Sequence, residues 1–269
     1  MRKAAANIIM ILIIVISFLS CTKVVNFNLN SSSPRLIVES SISDQPSSCY
    51  VKLTQSVNYN EPNTFPAVIG ATVVLYDETG KYYSLTESSP GVYTLPSFRG
   101  VPGKAYSLSI STSGKTYVAT SRMPDAVNID TLYQEKLLYG PYRGGGELKY
   151  VVVNYHDPVG RKNYYRFVEK INKVVQSAIY LDDDLLKDGN LISQNIVRAD
   201  TSLKTRDSVT IFLQTIDKNV FNYFTQLRDV TDSYGGQTAT PANPISNFSG
   251  GVLGYFSAYA VRSKSIIIR

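Results

Sequence analysis

Few residues in this chain are equipped for chemistry. There is one histidine and there are two cysteines. The histidine opens His156-Asp157-Pro158, directly after the run Lys149 to Tyr155. A histidine beside an aspartate suggests a catalytic dyad. Neighbours on a strand, however, point to opposite faces and are badly placed to pass a proton. Asp-Pro is an ordinary turn opener, and no Gly-x-Ser-x-Gly nucleophile motif accompanies it. A turn is expected there. The densest acidic group is Asp182-Asp183-Asp184 with Asp188-Gly189. Clustered aspartates near a glycine can supply several of the roughly six to eight oxygens that calcium takes. The acids do not alternate as in an EF-hand loop, so a solvated turn is expected, with calcium as the alternative. Arg143-Gly144-Gly145-Gly146 has the composition of a phosphate loop, but a strand follows it and no helix N-terminus is available. It reads as a flexible loop. Cys49 alternates with Val51 and Leu53, which predicts a buried, inert thiol. Glu135, Glu147 and Glu169 are scattered acids that only folding can bring to glycosidase spacing.

The counts exclude whole classes. Two cysteines cannot form a disulfide scaffold or a four-cysteine zinc site, and one histidine cannot form a His-rich metal centre. No metal site and no cofactor site are assigned. Charged residues are 18% of the 269, below the roughly 25% of ordinary globular chains, so long charged tails are not expected. The net charge of +6 falls by two if Arg2 and Lys3 are removed, and the remaining cations form no stripe. No nucleic-acid partner is expected.

The elements that must position these residues read mostly as strands. Leu36 to Glu39, Tyr50 to Thr54, Ala71 to Tyr76 and Lys81 to Thr86 are expected strands, the last two joined as a hairpin at Asp77-Glu78-Thr79-Gly80. Val92 to Leu95, Tyr106 to Ile110 and Thr116 to Thr120 follow at short spacing with Gly and Pro turns between them, as in a sandwich. Lys149 to Tyr155, Tyr164 to Val168, Val209 to Leu213 and Ala258 to Ile268 supply the second half. One helix is expected: Asp217 caps it, and Val220, Phe221, Phe224 and Leu227 share a face. Gly235 to Gly251 reads as a long ordered loop or lid. The expected fold is mainly β: an immunoglobulin-like or carboxypeptidase-regulatory-like sandwich over 34–124, then a β-rich domain with one short helix over 125–269. The 20 tyrosines suit strands and cross-strand pairs. Tyr255 and Phe256, beside Gly250-Gly251, are the best candidates for a ligand or partner contact on a glycine-flanked loop.

The N-terminus carries an address. Arg2 and Lys3 precede the apolar run Ile8 to Ile16, which is too short for a bilayer core of about 30 Å. Phe18-Leu19-Ser20-Cys21 follows. The whole resembles a lipoprotein signal over 1–20, with Cys21 as the lipidated residue and 21–33 as tether or first strand. Two or three acyl chains on Cys21 would make release from a membrane negligible.

Four stretches carry a further resemblance. They are Cys21 to Val25 with Leu36 to Glu39; Val51 to Tyr59; Gly70 to Val73 with Gly91-Val92-Tyr93 and Gly103 to Tyr106; and Ala242 to Asn247 with Gly250 to Phe256. Together they resemble domain-of-unknown-function family 4249, lipoproteins of Bacteroidota. The resemblance implies a lipid-anchored outer-membrane protein associated with a TonB-dependent transporter, and it supplies no catalytic residues. Surface lipoproteins of that phylum often carry acids just after the cysteine, whereas here none occurs before Glu39. The periplasmic and cell-surface faces both stay open. Asp130-Thr131-Leu132 and Asp207-Ser208-Val209 match a short glycosylation pattern at Thr131 and Ser208.

The functional expectation is a non-enzymatic binding or scaffolding accessory to nutrient transport. The alternatives are a surface adhesion or envelope-structure protein and, less favoured, a carboxylate-dependent hydrolase.

Overall fold

The computed structural model describes residues 33–58, 61–62, 64–139, 146–198, 202–231 and 242–269. Cys21, Arg143 to Gly145 and Gly235-Gly236 lie outside the described residues. All elements below belong to one compact unit, Pro34–Val57 with Pro62–Arg269.

The first half builds eight strands: β1 (Leu36–Ser43), β2 (Cys49–Gln55), β3 (Thr72–Asp77), β4 (Tyr82–Ser84), β5 (Thr86–Ser89), β6 (Val92–Leu95), β7 (Ala105–Thr112) and β8 (Lys115–Arg122). Their alternation sets the faces. In β7, Tyr106, Leu108 and Ile110 are buried while Ser107, Ser109 and Ser111 are not. One sheet runs β4-β3-β7-β8, and facing it is β5-β6-β2-β1. Val38, Val51, Leu53, Leu75, Leu108 and Ile110 fill the core between them.

The second half adds β9 (Thr131–Tyr139), β10 (Gly146–His156), β11 (Tyr164–Ile171), β12 (Val174–Val175), β13 (Tyr180–Asp183), β14 (Leu191–Ile196), β15 (Ser208–Ile216) and the long β16 (Leu253–Ile267). A sheet of order β14-β10-β9 packs on β11 and β15. Val151, Val153, Tyr155, Tyr165, Phe167, Ile211 and Leu213 form this second core. The expectation of a mainly β chain with one short helix holds among the described residues. Of these strands, β5, β9, β12, β13 and β14 have no counterpart in the sequence reading.

The two layered halves share one strand. Residues Leu253 to Tyr259 of β16 run parallel to β1, and Ala260 to Ile267 run antiparallel to β15. Phe256, Ala258 and Ala260 therefore sit in the first core, while Ile266 and Ile268 pack on the second. This amends the boundary expected at residue 124. The chain does change cores between Met123 and Val127, but Phe248 to Ala260 return to the first. Gly254 makes the parallel pairing feasible. It stands opposite Val38 with φ +95, and a Cβ there would lie 1.9 Å from the Val38 carbonyl oxygen.

Asp44 clamps the point where β16 changes partner. Its carboxylate accepts the Val261 N–H at 2.9 Å and an Arg262 Nη1–H at 2.6 Å. Burial raises the Asp44 pKa, but these hydrogen bonds outweigh it and hold the carboxyl below its ordinary value.

The helix, α1 (Lys218–Thr231), starts where the sequence places it. Asp217 Oδ1 accepts the Val220 N–H at 2.9 Å, a standard N-cap bond. Its Oδ2 accepts the Ser121 hydroxyl and the Arg122 N–H, so one residue caps the helix and ties it to β8. Val220 and Phe224 bury the apolar face against Ile216, Tyr255 and Tyr259. Among the described residues no helix is long and apolar enough to cross a membrane.

Candidate functional site

The acidic residues meet at one end of the second core. His156 ends β10 and points to solvent, where its Nδ1 lies 2.6 Å from Asp130 Oδ2. Asp157 turns the other way and is 3% exposed. The two neighbours diverge, as strand geometry requires, and they form no dyad.

Asp157 instead joins Asp184 and Asp188, with one oxygen of each within 4.8 Å of the others. Hydrogen bonds within the turns occupy much of this cluster. Asp157 Oδ1 accepts the Tyr165 hydroxyl and, at 3.2 Å, the Asn163 amide. Asp184 Oδ2 accepts the Asn163 N–H at 3.1 Å, and Asp188 Oδ1 accepts the Gly160 N–H at 2.8 Å. The three carboxylates thus fasten the loop Pro158 to Asn163 to the turn Asp184 to Asn190. The oxygens left over number fewer than calcium normally takes, so an ion there would also draw on carbonyls or water. Asp182 stands apart: it accepts the Tyr155 hydroxyl at 2.9 Å and pairs with Lys187 at 2.6 Å. Sequence reasoning placed Asp182, Asp183 and Asp184 together and treated Asp157 as a turn residue. The fold brings in Asp157 and leaves out both Asp182 and Asp183.

Burial, and then the neighbouring carboxylates, push the Tyr155 and Tyr165 phenols far above their ordinary pKa. Both stay protonated, which suits donors that brace buried acids.

The contact candidates need correction. Tyr255 and Phe256 do not stand on a loop but within β16, on opposite faces. Phe256 is fully buried in the first core. Tyr255 packs beneath α1, its ring centroid 5.1 Å from Tyr223 and 4.8 Å from Phe224. The residues ahead of them cover the edge of β8. Asn247 accepts the Phe256 N–H at 3.0 Å and donates to the Phe256 carbonyl at 2.8 Å, as a neighbouring strand would. Phe248 bridges to Ala119, and the Ser249 N–H donates to the Val118 carbonyl at 2.9 Å. Covering an edge strand is a structural task, since an exposed edge invites pairing with other chains. The asparagine after Pro244-Ile245-Ser246 was the available signal.

The scattered acids have separate surroundings. Glu147 lies near Lys136 and Lys149, at 3.2 Å and 4.0 Å. Glu169 is buried beside Arg198 at 3.9 Å, and burial raises its pKa. Glu135 sits on β9 opposite Tyr150. Cys49 is buried, and burial pushes its thiol up to about 12, in keeping with an inert residue. Thr131 opens β9 and Ser208 opens β15; Asp207 accepts the Lys204 N–H and the Asn172 amide, both at 2.8 Å.

A cleft of about 380 Å³ opens beside the acidic turn. Arg122 and Asp125 line it from the first-half strands and their exit, Arg161, Lys162 and Tyr164 from the loop and start of β11, and Asp217 and Lys218 from the helix start. No single sequence motif marked it, because its residues come from four separate stretches.

No curated protein matches the chain. Among solved structures, a two-domain fibronectin type-III segment from chicken tenascin is similar over 88% of this chain and 99% of that chain, at 10% identity and a TM-score of 0.24. That likeness is too slight to carry an argument. The family described as Domain of unknown function (DUF4249) matches residues 22–265, and the chain belongs to that family.

Proposed function

We propose that this chain is a lipid-anchored outer-membrane protein that binds or scaffolds, without catalysing a reaction, beside a TonB-dependent transport system. The observation that carries the binding reading is the strand shared between the two cores. Because β16 pairs with β1 along one half and β15 along the other, both halves present their surfaces as one fixed unit. A scaffold needs that rigidity. The acids and tyrosines best suited to chemistry are engaged in bracing turns, which fits the same reading. The anchor rests on Cys21 at the end of the apolar run Ile8 to Ile16.

Affinity capture through a C-terminal tag at native expression tests the partner. A transporter barrel should be recovered from detergent extracts of wild-type cells, and Cys21→Ala should move the chain out of the membrane fraction. Recovery of no stable barrel, with the chain still membrane-bound, would reject transport in favour of adhesion or envelope structure. Protease treatment of intact cells assigns the membrane face.

A further inference from the structure

The cleft beside the acidic turn carries more positive charge than its own residues neutralise. Four cations line it, Arg122, Arg161, Lys162 and Lys218, against two carboxylates, Asp125 and Asp217. Arg161 is paired with Asp125. Asp217 spends its oxygens on the Val220 N–H, the Ser121 hydroxyl and the Arg122 N–H. The side chains of Arg122, Lys162 and Lys218 make no ion pair or hydrogen bond among the described residues; Glu78, already paired with Lys104, acts on Arg122 only through space. Three cationic residues thus line one concavity, from β8, the loop before β11 and the first turn of α1. Like charges drawn together without a counter-ion repel, and a bound anion relieves that repulsion.

The size and walls narrow the class. At about 380 Å³ the cleft falls within the range of small-molecule sites and is roomy for a bare phosphate. Pro124 and Tyr164 also line the cleft, and Tyr164 is braced by Phe221 at 5.0 Å between centroids. A carbon skeleton can lie against them while acid groups reach the cations. The walls are also held in place: Asp217 fixes the start of α1 to β8, and Asp157, Asp184 and Asp188 fix the loop that bears Arg161 and Lys162.

We propose that this cleft is a binding site for a small polycarboxylate. The excess of two positive charges matches a multivalent anion rather than a monovalent one. Arg122 and Lys162 supply the principal charge-assisted hydrogen bonds, with Lys218 at the helix end. The inference adds a ligand class to the binding reading above. Its test uses the chain alone, so it stands or falls whether or not a transporter is recovered.

The test is calorimetric titration of the detergent-solubilised full chain with citrate, inorganic phosphate and acetate at low ionic strength. Citrate should bind with a Kd of about 1 mM or tighter. Phosphate and acetate should each bind at least about tenfold more weakly, and added salt should weaken citrate. Arg122→Gln with Lys162→Gln should lower citrate affinity by tenfold or more, on the order of one lost charge-assisted bond. Both side chains are exposed, so the variant's thermal melt should match wild type. Lys187→Gln, outside the cleft, should leave citrate binding unchanged. Absence of citrate binding, equal binding of phosphate or acetate, or a double variant that binds citrate normally would each overturn the proposal.

Discussion

Two buried aspartates do opposite electrostatic jobs in this molecule. Asp44, 2% exposed, meets a cation: its carboxylate holds Arg262 and the Val261 N–H where β16 changes partner. Asp157, 3% exposed, meets other carboxylates: Asp184 and Asp188 lie close by, and it is held by the Tyr165 hydroxyl and the Asn163 amide. Burial disfavours charge at Asp44. At Asp44 an ion pair and a backbone donor compensate, whereas at Asp157 neutral donors hold the carboxyl beside Asp184 and Asp188. The contrast separates an aspartate whose charge is needed from one whose hydrogen-bonding shape is needed.

Truncation should have the largest effect and should not distinguish the two. Asp157→Ala leaves the fully buried Tyr165 hydroxyl without its acceptor, and Asp44→Ala leaves the Val261 N–H without its acceptor and the half-exposed Arg262 without its carboxylate partner. Each should cost about 3 kcal/mol in urea unfolding, from the typical penalty of an unsatisfied buried partner. A loss under about 1 kcal/mol at either site would remove it from the bracing role.

Asparagine replacement should split the pair. Asp44→Asn keeps one acceptor but loses the charge facing Arg262, and should cost about 1.5 kcal/mol near neutral pH. Asp157→Asn keeps an acceptor for Tyr165 and relieves repulsion from Asp184 and Asp188, so it should cost less. Acid adds a second readout at Asp44, whose folded pKa is lowered from 3.8. A lowered pKa contributes stability above the unfolded value, and that contribution is lost as pH falls through the folded one. The gap between wild type and Asp44→Asn should therefore shrink below about pH 4. Equal costs for the two asparagine variants, or a gap at Asp44 that persists into strong acid, would dissolve the distinction.

The smallest effect concerns divalent ions. If hydrogen bonds hold the Asp157, Asp184 and Asp188 turn, a chelator should leave the melting midpoint unchanged. A fall of several degrees with EDTA, restored by calcium, would reassign that turn to an ion.

How much of this was legible differs by element. The helix was readable because its signals are local: a capping aspartate at 217 and apolar residues at helical spacing. Strands β3, β6, β7 and β10 were readable because alternation or apolar runs mark them. Strand β9 was not, since Thr131-Leu132-Tyr133-Gln134-Glu135-Lys136 has exposed residues on both faces and its pairing with β10 decides its shape. Tyr255 and Phe256 were read together from their glycines, although strand period alone would have sent them to opposite faces. A third glycine, Gly254, is the one the strand requires: it lets β16 approach Val38.

By itself the sequence determined a mainly β chain, one capped helix, a buried Cys49 and an apolar run, Ile8 to Ile16, ahead of Cys21. These follow from neighbours along the chain, where period and turn chemistry act. Only the tertiary structure decided that Asp157 joins Asp184 and Asp188, that Asp44 reaches Arg262, and that cations from β8, β11's approach and α1 surround one cleft. The Asp44–Arg262 pairing depends on β16 lying beside both β1 and β15. Such a register is set by the burial of two cores at once, a non-local balance that local residue patterns do not record.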